Sequence, residues 1–467
     1  MANFLITTPN SLALGTDTTD LFVLDTALGV TVNAAAGNDQ ISAVGSNFVN
    51  ANFQGAQGND SIYLTAGELQ RTLAITNIAA GAGNDFVAID SALGNNSTIV
   101  GGGGNDTIQF SDGLFEDGAI NGNVGSDLIF ATGTNFLRGL IGGGGDNDTI
   151  NLNSGAILSA TINGGGGNDE LTFLISNFSG VRIRGDTLGD SEFFGNDTIR
   201  FDGGEFQGGS INGGQGNDLV QVSAVIGTGV LVEGNQGTDS IFLNAFVASG
   251  ATFLGGGAGN DTIAVSGVLV SNFGTIQGGG GLDVINVSGG GTTGGFIFGG
   301  AEADAIGLGT LASGAVRSNA TASGVNVAYA SFAESNLAGF DTISATFVGA
   351  AVSGGGAFMV TQSAVNFSVA AFDRAGVVSG GATGNATFTA GFDNSLTARA
   401  EALDLALVQG QAVVFANGAG TNFLFVQGGA SGSGAAGDLV VQLNAGFNPT
   451  SGGLYAVNNS ALKVVIA

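Results

Sequence analysis

Thirteen aspartates recur along roughly two thirds of this chain in one local setting, and carboxylates so placed have a chemistry open to them. They are Asp39, Asp60, Asp85, Asp106, Asp127, Asp148, Asp169, Asp197, Asp218, Asp239, Asp261, Asp283 and Asp304, most of them 21 residues apart. The cleanest phrase is Gly101-Gly102-Gly103-Gly104-Asn105-Asp106-Thr107-Ile108. A carboxylate is a charged hard oxygen, and glycines admit left-handed backbone that exposes carbonyl oxygens, a donor set suited to Ca²⁺. The candidate metal ligands are therefore the thirteen aspartates, together with glycines of the best-formed runs: Gly102, Gly104, Gly165, Gly167, Gly214 and Gly216.

The elements that position these residues follow from the apolar pattern. Two residues after every one of the aspartates stands Ile, Val or Leu, and a second apolar residue often follows two further on, as in Ile108 and Phe110 or Ile150 and Leu152. Alternation of that kind is a strand with one face in a core. A second anchor precedes each glycine run, including Val32, Phe53, Ile78, Ile99, Ile120, Ile141, Ile162, Ile211, Val232, Leu254, Ile276 and Ile297. The fold class is thus all-β. Each period, two short strands and two turns, predicts one coil of a parallel β-solenoid, with residues 1–310 in the solenoid and 311–467 in a smaller β-rich domain.

The repeated phrase resembles the RTX nonapeptide Gly-Gly-x-Gly-x-Asp-x-U-x, where U is large and apolar. The resemblance implies a β-roll-like fold, with one Ca²⁺ between each pair of stacked loops sharing their carboxylates and carbonyls, and export through an uncleaved C-terminal signal. RTX arrays place nonapeptides back to back, whereas here each coil carries one such loop, so the ions are expected in a single row along one edge. The seven extra residues between Asp169 and Asp197, with Glu192-Phe193-Phe194 in place of glycines, are expected to interrupt that row. The end loops at Ala34-Ala35-Ala36 and Gly299-Gly300-Ala301-Glu302 also depart from the pattern. The bland alternative is that the aspartates only form Asx turns. Against it, a row of like charges about 5 Å apart costs roughly 0.8 kcal/mol per pair even in water.

Composition narrows the function. A net charge of −28 argues against nucleic acid and anionic membrane surfaces. Cys, His and Trp are absent, which removes disulfides, the commonest general base and the usual zinc ligands. Residues 1–8 show no signal-peptide pattern, and no apolar run of about 18 residues could span a membrane.

Gly15-Thr16-Asp17-Thr18-Thr19-Asp20 reads as a degenerate first coil whose bare edge another molecule could continue. Beyond the array, Leu396 to Val408 is the one helical stretch. Runs at Asn366–Val369, Ala386–Thr389, Ala412–Phe415, Asn422–Val426 and Asp438–Leu443 read as strands. Arg184-Gly185-Asp186 reads as a chance match to an adhesive tripeptide, and Glu116-Asp117 as solvated surface rather than half of a catalytic pair. The expectation is a secreted, cell-surface, non-enzymatic structural protein that binds several Ca²⁺. Its partners are further copies of itself, in a surface layer or filament, and cell-surface polysaccharide. A non-assembling adhesin, or an enzyme with activity in 311–467, are the alternatives.

Overall fold

The computed structural model describes the chain except residues 1, 26, 46–47, 67–75, 91–95, 154, 176, 187–193, 245–246, 248–251, 268–273, 289–294, 313–324, 330–340, 349–356, 362–371, 375–376, 381–384, 429, 433–437, 444–452, 459–460 and 466–467. The contacts divide it into two units, Met1–Val232 and Glu233–Ala467. Both carry turns of a parallel β-solenoid, about 12 in all at roughly 21 residues each.

In the first unit the apolar anchors stack in register from coil to coil. Ile108 pairs with Ile129, Ile129 with Ile150, Ile150 with Leu171 and Leu171 with Ile199. On a second wall Ile99, Ile120, Ile141, Ile162, Ile183 and Ile211 form another ladder. Every one of these side chains is buried. A strand that cannot satisfy its hydrogen bonds within its own coil finds them in the coils above and below.

The expectation of two strands per coil fails in the middle of this unit. Between Thr107–Ser111 and Ala119–Val124 lies a third strand, Leu114–Glu116, and its successors are Asn135–Leu137 and Ala156–Leu158. It turns one side chain inward per coil, giving a third ladder of Phe115, Phe136, Ile157, Phe178, Phe206 and Ile226. Phe115 and Phe136 pack edge to face at 5.9 Å. Truncating Phe136 to Ala should cost about 3–5 kcal/mol, because the neighbouring coils hold the cavity open. Denaturant unfolding of the calcium-loaded variant measures this, and a loss below 1 kcal/mol would mean that the third wall collapses freely.

The insertion before Asp197 does not break the stack. Glu170 pairs with Thr198 and Phe173 with Phe201, with no slip in register. Residues 187–193 lie outside the described residues, including Glu192 and Phe193 of the expected interruption.

In the second unit the ladder runs from Ile241 through Ile263 and Ile285 to Ile306. The strand Ala305–Ala312 continues it in parallel to Asp341–Val348, which pairs in parallel with Leu439–Leu443. From there the pairing turns antiparallel through Asn422–Val426 to Ala412–Ala416. The helix spans Leu396–Asp404, where Ser395 Oγ caps it by accepting from the Ala398 N–H at 3.2 Å. Its Ala400 and Leu403, with Leu407 just beyond, pack on Val413, Phe415, Phe423, Phe425 and Val440. Ala386–Phe388 is a strand in a separate antiparallel sheet, and Asn366–Val369 falls outside the described residues.

Candidate metal row

In each unit the aspartates point inward at one corner of successive coils, and each of the thirteen is at most 3% exposed. Their placement follows from the strand period, since Asp106 shares the inward face with Ile108 and Phe110. The turn before each of them except Asp197 holds left-handed backbone at two positions. In the Asp106 loop these are Gly102 at φ +125° and Gly104 at +116°. The other four glycines named from sequence occupy the same positions: Gly165, Gly167, Gly214 and Gly216. Where glycine is missing, Ala35, Ala56, Asn123, Asp146 and Glu302 are held left-handed by the stack. The two end loops therefore keep the turn.

Within each unit a ladder runs coil to coil, the N–H of one aspartate donating to a carboxylate oxygen of the next. Within the first unit the Asp39 N–H donates to Asp60 Oδ1 at 2.7 Å, Asp106 to Asp127 at 2.7 Å, and Asp127 to Asp148 at 2.7 Å. The bonds continue across the insertion, from the Asp169 N–H to Asp197 Oδ1 and from the Asp197 N–H to Asp218 Oδ1, both 2.8 Å. The second unit repeats them from Asp239 to Asp261, Asp261 to Asp283 and Asp283 to Asp304, each 2.8 Å. On the exposed side an asparagine ladder runs in the opposite sense: Asn38 Oδ1 accepts from the Asn59 N–H, and Asn147 Oδ1 from the Asn168 N–H. Sequence reading noted the asparagines only as part of the repeat.

The other oxygen is the feature that decides the chemistry. Oδ2 of Asp39, Asp60, Asp85, Asp106, Asp127, Asp148, Asp169, Asp197, Asp261 and Asp283 is buried with no hydrogen-bond partner in the protein. At all of these but Asp39 and Asp85, where Ala34 and Ala80 stand instead, it lies in a small space kept open by a glycine. A Cβ at Gly143 would sit 2.3 Å from Asp148 Oδ2 and 2.4 Å from the carbonyl oxygen of Gly164 in the next coil. The same meeting of carboxylate, carbonyl and bare Cα recurs at Gly55, Gly101, Gly122, Gly164, Gly256 and Gly278. Sequence reading missed these glycines, five residues before the aspartate, although Gly or Ala stands there in each regular repeat.

Burial makes the charged form expensive. It pushes Asp60, Asp106, Asp148 and Asp261 up to about 7, against the pull of the backbone N–H each accepts, and neighbouring aspartates add to the rise. Asp127 rises to about 6, and Asp169 and Asp197 to about 8. At neutral pH such a carboxylate must take up a proton or a cation.

The residues fit a hard divalent cation. The gaps at Gly55, Gly101, Gly122, Gly143, Gly164, Gly256 and Gly278 each pair an orphaned carboxylate oxygen with a carbonyl oxygen, and the chain has no Cys or His. Among the described residues no three acidic, His or Cys side chains converge, so further ligands would have to be backbone carbonyls or water.

No protein-family model and no curated protein matches the chain. Among solved structures it is similar in outline to a hyperactive, Ca²⁺-dependent, β-helical antifreeze protein from an Antarctic bacterium. That match has 20% identity over 75% of this chain and 96% of the other, with a TM-score of 0.37. A likeness at that level says nothing of what this chain binds.

The first coil differs from the others. Asp20 Oδ1 accepts from the Ala2 N–H at 2.8 Å, while Oδ2 accepts from both the N–H and the hydroxyl of Thr16, at 2.7 and 2.8 Å. Burial alone would raise its pKa, but these bonds hold it below the usual carboxylate range. Thr16 does there what a cation would do elsewhere. Asp20→Asn should accordingly leave the number of bound Ca²⁺ ions unchanged in equilibrium dialysis, and the loss of one ion would place a site in the first gap.

Two acidic motifs from the sequence resolve differently. Asp117 and Glu116 are bridged by Arg138 of the next coil, with Nε donating to Asp117 Oδ1 at 2.8 Å, so they form an exposed ion pair between coils. Asp186 of the Arg-Gly-Asp run is 6% exposed and faces inward, which removes it from any adhesive role.

Proposed function

We propose that this is an exported structural protein whose solenoid is completed by calcium and which assembles with copies of itself into a surface layer or extracellular filament. The observation that carries the reading is the row of buried aspartates, ten of which, from Asp39 to Asp197 and at Asp261 and Asp283, have one oxygen bound and the other bare. Outside the cell Ca²⁺ is plentiful enough to fill weak sites, and there the row becomes a source of folding free energy. Among the described residues no helix is long and apolar enough to cross a membrane.

Assembly is supported by the first coil. Asn3–Ile6 and Leu12–Leu14 each pair with the following coil, and Leu5, Leu12 and Leu14 are 60–70% exposed on them. Strand edges flanked by exposed leucines favour continuation by a further strand. Bound cations would also offset much of the −28 charge that holds copies apart. Residues 311–467 are proposed to serve secretion and contacts between copies.

Electron microscopy in millimolar Ca²⁺ and in chelator tests this reading. Ordered layers or filaments are expected only with calcium, and monodisperse monomers in both would overturn assembly. Deleting residues 1–25 should keep calcium-induced folding and suppress the ordered polymers. An unchanged polymer would move the interface away from the first coil.

A further inference from the structure

The widened loop before Asp197 holds a buried carboxylate that no other loop has. Asp186 stands opposite Gly165 in the parallel ladder, the place taken in ordinary loops by the first left-handed residue. The seven extra residues thus enter inside the metal loop, between Asp186 and Gly195, and not in the variable turn. In an ordinary loop the carbonyl at this place accepts from the next coil, as Ala35 does from the Gln57 N–H at 3.1 Å. Here the Asp186 side chain does so instead, its Oδ2 accepting from the Gln215 N–H at 2.6 Å. Its Oδ1 is buried and makes no hydrogen bond of normal geometry, and burial raises the carboxyl despite the pull of the Gln215 and Gly195 N–H groups.

The Asp186 carboxylate stands beside a gap of the row, close enough for its charge to raise the Asp197 carboxyl. A Cβ at Gly185 would lie 1.9 Å from Asp197 Oδ2 and 2.3 Å from the Gly213 carbonyl oxygen, the arrangement seen in the regular gaps. A Cβ at Gly214, next in the chain to Gly213, would lie 2.4 Å from Asp186 Oδ2. Two carboxylates therefore flank the Gly213-Gly214 backbone, where a regular loop brings one. Replacing a lost backbone hydrogen bond needs only a neutral acceptor. A second carboxylate with an orphaned oxygen needs a counter-charge.

We propose that Asp186 is a further ligand for a divalent cation in the gap between the loops of Asp197 and Asp218, beside Asp197 Oδ2 and the Gly213 carbonyl, and that this gap is the tightest of the row. The assignment rests on the calcium reading above. Affinity in oxygen sites rises with the number of charged ligands, so the doubly acidic gap fills first. The sequence feature that most resembles an interruption becomes the place where stacking starts.

Calorimetric titration of the full chain with Ca²⁺ alone tests it. Wild-type protein should show one ion bound about tenfold more tightly than the rest. Asp186→Asn keeps an acceptor for the Gln215 N–H and removes the charge, so it should lose that ion while circular dichroism in saturating calcium stays unchanged. Asp106→Asn should keep it and lose binding from the weaker class. A D186N protein that retains the tightest ion overturns the assignment and leaves the calcium reading standing. Wild-type protein that binds no calcium overturns both. Should D186N fold poorly, the wild-type titration decides, since a single uniform class of sites overturns the proposal.

Discussion

In calcium-free buffer at pH 8 the chain is expected to lose most of its β signal, and at pH 4 in the same buffer to regain it. The cause is the buried half of each aspartate. In the folded protein burial lifts these groups to about 6 for Asp127, about 7 for Asp60, Asp106, Asp148 and Asp261, and about 8 for Asp169 and Asp197. In the unfolded chain they return to about 3.9. Between those values the folded state binds more protons, so stability falls as pH rises. It is full below about pH 4 and is lost through pH 6 to 8. At about 1.4 kcal/mol per unit, Asp169 and Asp197 alone are comparable to the whole stability of a domain, about 5–15 kcal/mol. Calcium at pH 8 replaces the protons and restores the fold, and its apparent affinity should rise with pH over the same window. Mg²⁺ should substitute poorly because it demands a tight octahedron and sheds water reluctantly. Circular dichroism against pH, with and without Ca²⁺, measures all of this. Equal β content at pH 8 in both conditions would refute it.

Asp148→Asn is expected to change stability in opposite directions depending on calcium. The amide keeps an oxygen to accept from the Asp127 N–H, now 2.7 Å from Asp148 Oδ1, and no longer buries a charge. Without calcium at pH 8 the variant should therefore be more stable than wild type. With calcium it should be less stable by about 3 kcal/mol, because a buried charge partner of the ion has gone. Asp148→Ala lacks the acceptor and leaves the Asp127 N–H orphaned, so it should lose about 1–3 kcal/mol in both conditions. Urea unfolding of the two variants in calcium and in chelator separates the cases. A D148N protein shifted the same way in both would show that the carboxylate is a turn former only.

The solenoid was legible in the sequence because Ile108-x-Phe110 and its equivalents repeat the two-residue period of a strand at fixed spacing. The third wall was not, because Leu114-Phe115-Glu116 turns only Phe115 inward and one anchor in three residues carries no period. The repeated aspartates were legible by type and phase, and within each unit the structure brings them to one corner. What spacing could not convey is that carboxylates such as Asp106 and Asp148 split their two oxygens between a ladder bond and an open gap. Nor could it show that Thr16 closes the first gap, since a hydroxyl four residues before an aspartate has no meaning until the turn is built. The insertion misled for a related reason: counting residues between Asp169 and Asp197 gives a break, whereas Gly185 and Gly195 hold the ordinary loop positions on either side of it.

The ladders fix how such a coil would yield to force. Its hydrogen bonds lie along the stacking direction, so tension on the ends opens one coil at a time and loads few bonds at once. Each regular coil would pay out about 65–70 Å of chain, and the longer coil before Asp197 would give a visibly larger step. With calcium bound as proposed, every step would also release an ion. The stack would then lengthen under load as a series of reversible increments, with the surrounding calcium concentration setting the force at which each one gives way.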